Sequence, residues 1–283
     1  LKNKFLRWMR TPKKFKVLIN EFQPDAVFTE RVSHFSVLTL KEKIPLLIYL
    51  IGDHWKEIEL YDQTTKNSLF RKIELSYKRN RSEKCFKESA MIIPVCKYLD
   101  KIVKERYPNK ITKVMYQGIE ESDWKIDKKM ELKHPCVGLL QGAKIWGKVQ
   151  EMQILPEIVQ KFPNITFYWA GDGQYAQKIL STLQKYPNFK WLGNLDYPQK
   201  VREYLAAVDV YALISGQDNS PHTLLEAAIM KKPIIATDVG GISESLIDEK
   251  TGFLVEKNNV DELSTKISIL LNDNQMATKM GEE

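Results

Sequence analysis

The sequence predicts an α/β protein of two domains, each built on a parallel sheet in the Rossmann manner. Three observations lead there. Short apolar runs alternate with stretches of helical pattern, as in βαβ units whose strands are buried on both faces. The alternation occurs twice, on either side of a charged stretch poor in large aliphatics. Several runs end in Gly, Asp or Asn, the residues that turn a strand into the next loop. The division expected is residues 1–130 for the first domain with its linker and residues 131–283 for the second.

Residues 1–22 are basic, with apolar Phe5, Leu6, Trp8, Met9, Phe15, Val17, Leu18 and Ile19 broken by Pro12. Two readings stand: a membrane-surface helix drawn to anionic lipid, or an ordinary surface helix of the first domain. The runs PDAVFTE and IPLLIYLIGDHW then read as buried strands, AMIIPVC as a third, KYLDKIVKERY as a helix, and KVMYQGIEESDW as a strand entering a loop. His54 falls at the C-terminal end of the second run, where ligands gather in open α/β sheets; it is either functional or a structural polar residue. His34 and His134 lack such a context, and His134, before Pro135, reads as a surface residue. The charged stretch ESDWKIDKKMELKH, with Asp123 and Asp127, is the linker.

From Pro135 the second alternation runs through PCVGLLQG, a loop with Lys144, Trp146, Gly147 and Lys148, a helix through Glu157 and Val159, and ITFYWAGDG. The GDGQY turn has two glycines in G-x-G spacing without the third of a dinucleotide fingerprint, so it reads as a strand-ending turn. Phe167, Tyr168 and Trp169 read as core. FKWLGNL, DVYALIS, PIIAT and TGFLVE continue the strands, and DELSTKISILLND is a helix.

Ser215 to Glu244 is the stretch richest in chemistry. Ser220 is expected to cap a helix with Pro221 in its first position. Glu226 lies on that helix among Leu224, Leu225, Ala227, Ala228 and Met230, a setting where a charge needs a partner; a lysine such as Lys231 or Lys232 is the plain candidate. Asp218 precedes the helix with seven residues between the two acids. The helix start between them offers free N–H groups and a positive dipole end to a phosphate. Gly240 and Gly241 then permit a tight turn after PIIAT and Asp238.

This stretch resembles the retaining, nucleotide-sugar-dependent glycosyltransferases of the GT-B fold, family 4. Their two acids are glutamates, the second inside EA, followed by P-[IV]-[IV]-A-T-[DN]-x-G-G-x-x-E. Glu226 and Pro233 to Glu244 match, while Asp218 stands for the first glutamate. Gln117-Gly118-Ile119-Glu120 is similar to the family's N-G-[IV]-[DE] turn, and Cys96-Lys97-Tyr98 to its S-K-x-L strand exit. The resemblance implies two Rossmann-like domains facing a cleft, the N-terminal one lacking its first βαβ portion and glycine-rich loop, and the chain lacking the final helix that returns to that domain. It implies catalytic roles for Asp218, Lys148 and His54. Donor binding would fall to Glu226 at the ribose, to Gly142, with Lys148 or Lys144 at the diphosphate, to Gly193, Asn194 and Leu195 at the base, and to Ser220, Pro221, His222, Thr223 and Leu224 at the helix start. Ala143 stands where the family often has arginine. The reaction implied moves a sugar from a UDP-, GDP- or ADP-sugar to a glycan or lipid-linked acceptor. No cofactor is expected beyond that substrate; a nucleotide-sugar-binding module without turnover is the alternative.

Composition bounds the rest. With 283 residues, 43% of them hydrophobic, the chain can fill one or two cores. Cys85, Cys96 and Cys136 are odd in number and form no C-x-x-C pair, so neither a disulfide framework nor a zinc site is expected, and a reducing cytoplasm fits. No apolar run approaches the roughly 20 residues of a membrane span. The net charge of +7 favours anionic partners, with a peripheral contact to an anionic inner membrane face among them. Nucleic acid is not expected, because the lysine-rich segments carry no aromatic platform and no reading helix.

Overall fold

The computed structural model describes residues 2–64, 69–126 and 128–283, with side chains described for 12–59, 72–126 and 128–283. Phe5, Leu6, Trp8 and Met9 of the basic segment, and Asp127, therefore lie outside the described side chains. The chain forms two compact units, residues 1–116 and 117–283.

In the first unit the order is α1 (Lys2–Phe22), β1 (Val27–Glu30), α2 (His34–Lys41), β2 (Leu46–Leu50), α3 (His54–Thr64), α4 (Leu69–Glu88), β3 (Met91–Pro94) and α5 (Lys97–Arg106). The strands make a parallel sheet in the order β1-β2-β3. Leu46, Ile48 and Leu50 project from β2 with the two-residue period of a strand and pack with Phe86, Ile92, Leu99 and Val103. The second and third apolar runs thus became strands because their alternate side chains have a helix layer to bury against, whereas in β1 only Thr29 is buried and Phe28 is 51% exposed.

The second unit contains β4 (Cys136–Leu140), α6 (Trp146–Val149), α7 (Leu155–Lys161), β5 (Thr166–Ala170), α8 (Ala176–Leu183), β6 (Phe189–Gly193), α9 (Gln199–Ala207), β7 (Val210–Leu213), α10 (His222–Ile229), β8 (Ile234–Thr237), β9 (Gly252–Val255), α11 (Val260–Asn272) and α12 (Asn274–Glu282). Its six strands are parallel in the order β6-β5-β4-β7-β8-β9. That is the doubly wound order in which the winding reverses between β4 and β7, and such a reversal opens a crevice beyond the strands' carboxyl ends. One sheet face, with Val137, Leu139, Phe167, Trp169 and Val210, packs against Ile158, Ile179, Leu180 and Ile267 of α7, α8 and α11. The other, with Tyr168, Tyr211, Leu213 and Ile234, packs against Tyr204 and Leu205 of α9 and Leu224 and Ala227 of α10. Phe167, Tyr168 and Trp169 are core residues as the sequence predicts.

Two expectations change. The charged stretch after Glu120 is no free linker: Trp124 is 6% exposed, the Arg202 side chain donates to the Asp123 carbonyl, and Met130 N–H donates to Glu203 O at 2.9 Å. One buried indole outweighs the surrounding charges, and the division between the units falls after Tyr116. Pro221, and not Ser220, stands at the N-cap of α10, with extended backbone and no side-chain cap bond. His134 is a surface residue, as expected, and its Nδ1 lies 2.8 Å from Asp209 Oδ2.

Candidate active site

The winding reversal places two loops side by side, the one after β4 and the one after β7. Gly216 N–H donates to Lys148 O at 3.1 Å, and Gln141 Nε2 donates to the same carbonyl at 2.8 Å. A Cβ on Gly216 would lie 2.6 Å from Gly147 O, so glycine is what lets the two backbones meet. The consequence is an ion pair across 70 residues of chain. Lys148 Nζ donates to Asp218 Oδ1 at 2.9 Å and Oδ2 at 2.8 Å.

Asp218 is 6% exposed and is fixed on every side. Its Oδ1 also accepts from Asn219 N–H at 2.9 Å, and its carbonyl accepts from Gly241 N–H at 3.2 Å. Gly240 has φ +61°, and a Cβ there would overlap that carbonyl at 1.8 Å. The glycine pair after β8 is therefore the seat of the Asp218 loop. Beneath it, Thr237 Oγ1 donates to Ser215 O at 2.6 Å and accepts from Ser215 N–H at 3.0 Å.

Glu226 lies in the second turn of α10 and is 4% exposed. Burial pushes its carboxyl up to about 7, opposed by a hydrogen bond from the Tyr197 hydroxyl. Among the described residues no lysine pairs with it, and Lys232 Nζ instead donates to Ala206 O and Val208 O at 3.0 and 2.9 Å. Tyr197 comes from the loop after β6, four residues beyond Gly193. Gly193, at φ +68°, accepts from Gly171 N–H at 2.7 Å, and Trp191 Nε1 donates to Gly171 O at 2.8 Å. Leu195 is partly buried against the core face that holds α9 and α10, and Gly193, Asn194 and Leu195 follow one another at the carboxyl end of β6.

The other predicted residues divide. Gly142 is exposed, with Asp172 O 3.9 Å from where a Cβ would stand, and Lys144 is exposed on the same loop. Ala143 is fully buried and donates its N–H to Asp172 O at 2.9 Å, so its side chain faces core and not crevice. Ser220 is half-buried and His222 exposed at the start of α10. Thr223 Oγ1 accepts from the Tyr211 hydroxyl at 2.8 Å. Leu224 is wholly core, which leaves only its main chain to a ligand. His54 belongs to the first unit, where Phe86 lies 5.3 Å from its ring, centre to centre. Burial lowers its pKa to about 4, so it is neutral at physiological pH, and its buried Nε2 has no hydrogen-bond partner among the described residues.

The sequence did not point to Gln141, Asn219 or Tyr197. Gln141 Oε1 and Asn219 Oδ1 are buried without a hydrogen-bond partner among the described residues, beside the Lys148–Asp218 pair. The available signal was the position of Gln141 at a strand's carboxyl end and of Asn219 next to the acid. Tyr197 carried none, since an aromatic residue before a proline is common in loops.

Residues 136–273 match the family model described as glycosyl transferases group 1. An uncharacterised glycosyltransferase of Methanocaldococcus jannaschii is 27% identical over 225 residues, which are 77% of this chain and 58% of that protein. A poly(ribitol-phosphate) alpha-N-acetylglucosaminyltransferase of Staphylococcus aureus is 28% identical over 157 residues, 50% of this chain and 31% of that one. The chain thus spans about half or less of these relatives. Among solved structures, a sucrose-phosphate synthase from Thermosynechococcus elongatus superposes with TM-score 0.75 at 15% identity, over 96% of this chain and 71% of that one. Anabaena HepE in complex with UDP-glucose gives 0.71 at 17%, over 94% and 74%. These likenesses establish the fold as α/β of the GT-B type, consistent with its two parallel sheets.

Proposed function

We propose that this chain is a retaining glycosyltransferase, of the kind grouped as family 4, which moves a sugar from a nucleoside diphosphate donor to a glycan or lipid-linked acceptor. The observation that carries the reading is the convergence of Lys148, Asp218 and the start of α10 at the winding reversal, with Glu226 one turn further on. Breaking the anomeric bond places positive charge on the sugar and negative charge on the departing diphosphate, and catalysis consists in stabilising both in a cleft poor in water. Lys148 and the first N–H groups of α10 serve the diphosphate, with Lys144 as a second cation. Glu226 receives ribose hydroxyls, and Asp218 faces the donor sugar. Retention follows from front-face attack, in which the departing phosphate takes the proton of the acceptor hydroxyl, so no protein carboxylate forms a covalent bond and the counter-charge comes from side chains without a required metal. His54, neutral at physiological pH, is offered to the acceptor or the donor sugar.

The base is uridine, guanosine or adenosine. The UDP-glucose in the HepE complex makes UDP the first to try. The acceptor side involves the basic first unit, whose attraction to anionic lipid would hold a cytoplasmic enzyme at the inner membrane face. Among the described residues no helix is long and apolar enough to cross a membrane.

The test is calorimetric titration with UDP, GDP, ADP and their common sugar conjugates, beside Glu226→Ala. Selective binding of one base, weakened about tenfold or more in the variant, supports the donor site. Equal affinity in a folded Glu226→Ala removes Glu226 from it. Binding of the sugar nucleotide without hydrolysis or transfer to any acceptor favours a module without turnover, a reading to which the mutual occupation of Lys148 and Asp218 also lends itself.

A further inference from the structure

The opposite end of the six-stranded sheet carries a second cluster of chemistry-bearing groups. Cys136 is the first residue of β4, and Asp209 immediately precedes β7. Both therefore lie at the amino ends of strands whose carboxyl ends hold the candidate active site. His134 Nδ1 is 2.8 Å from Asp209 Oδ2 and 3.7 Å from Cys136 Sγ. All three ligand atoms lie within 4.8 Å of one another. His134 and Asp209 also line a cavity of about 580 Å³ bounded by Lys231, Asn274 and Thr278.

We propose that His134 Nδ1, Cys136 Sγ and Asp209 Oδ2 bind a zinc-class divalent transition metal, with water from the cavity completing the coordination. One nitrogen, one sulfur and one carboxylate oxygen form a borderline-soft donor set that suits zinc and excludes magnesium and calcium. Tetrahedral zinc bonds place a nitrogen and a sulfur ligand about 3.6 Å apart and a nitrogen and an oxygen ligand about 3.3 Å apart. The first separation is already present; the second requires the His134–Asp209 pair to open by about half an ångström, as an ion replaces the proton between them.

The balance is simple. The metal displaces one proton from the Cys136 thiol to solvent, and the imidazole proton moves from Nδ1 to the half-exposed Nε2. Thiolate and carboxylate together cancel the dication, so no net charge is left in a partly buried place. The neighbouring Lys232 does not compete for the acid, since its ammonium is held by the Ala206 and Val208 carbonyls at 3.0 and 2.9 Å. Asp209 Oδ2 also accepts from Cys136 N–H at 2.8 Å, which fixes the carboxylate oxygen that would ligate. The site would strap the start of β4 to the loop entering β7.

The full chain, purified and treated with chelator, is titrated with Co²⁺ and read by absorption. The expected result is a thiolate-to-cobalt band that saturates at one equivalent, is displaced by Zn²⁺, persists in Cys85→Ser and Cys96→Ser, and is lost in Cys136→Ser. His134→Ala, a half-exposed position that should fold normally, should bind Co²⁺ at least about tenfold more weakly and lose the zinc-dependent rise in Tm shown by the native chain. Absence of the band at saturating Co²⁺, its survival in Cys136→Ser, or unchanged affinity in His134→Ala would each overturn the assignment. If Cys136→Ser fails to fold, the native spectrum and His134→Ala decide. Nucleotide titration is independent of this result, because the donor loops lie at the other ends of the strands.

Discussion

Asp218→Asn separates two roles that the acid could play. Both Asp218 oxygens accept from Lys148 Nζ, at 2.9 and 2.8 Å, with side-chain exposures of 8% for the acid and 35% for the lysine. A diphosphate that recruits Lys148 must compete with this contact. Two charges about 3–4 Å apart near a protein surface attract by a few kcal/mol, and the third of Lys148 open to water reduces the net worth of the pair to about 1–2 kcal/mol. The asparagine retains an acceptor for Asn219 N–H while removing the charge. Diphosphate affinity should therefore rise by about 5–30-fold, the factor corresponding to that energy. Nucleoside affinity should stay constant, and sugar transfer should fall. Titration of the native chain and the variant with UDP and uridine, or with the base found to bind, measures both. Unchanged or weaker diphosphate binding in a folded Asp218→Asn would refute the competition and leave Asp218 a sugar contact only.

Four further outcomes are expected. Glu226 keeps its proton to about pH 7 when folded but only to the ordinary carboxylate range when unfolded, so the native state binds more protons across that window. Stability should accordingly fall as pH rises from about 4.5 to 7, by up to about 3 kcal/mol, and level off above; Glu226→Gln should abolish that slope in denaturant titrations. Nucleotide affinity should increase over pH 6–8 as the carboxylate forms and accepts ribose hydroxyls; a flat profile would count against that contact. Gly240→Ala, with its Cβ driven into the Asp218 carbonyl at a positive φ, should cost about 2–4 kcal/mol in chemical denaturation. Finally, Lys13, Lys14 and Lys16 adjoin Val17, Leu18 and Phe22, which are 63%, 49% and 72% exposed. Sedimentation with anionic vesicles should exceed that with neutral ones and decline with salt, and Val17→Glu with Leu18→Glu should remove it.

Much of the second unit was legible because its information is local. A strand buried on both faces must be apolar throughout, and PIIAT and DVYALIS leave few other readings. The glycine pair announced a turn, and Glu226 announced a charge in the wrong company. What could not be read was partnership at a distance. Nothing near Lys148 indicates that its counter-charge lies 70 residues on, nor that Glu226 would meet a tyrosine in place of a lysine. The linker reading failed for a related reason: composition averaged over ESDWKIDKKMELKH is hydrophilic, yet a single indole with a pocket to fill decides where the segment packs. Ala143 shows the reverse case, a residue whose role as core was hidden because alanine fits either environment.

Charge accounting at the crevice also bears on the order of events. Lys148 and Asp218 pair with each other, and burial raises the Glu226 carboxyl to about 7. A diphosphate brings at least two negative charges, and on the proposed reading it draws Lys148 away from Asp218 while the N–H groups of α10 take a further share. Asp218 is then left with an acceptor capacity it lacked before, beside the place where the sugar must lie. The sugar contact would form only after the phosphate contact. A nucleoside monophosphate, with less charge to draw the lysine, should leave the acid occupied, and free sugar should bind measurably only when UDP is present.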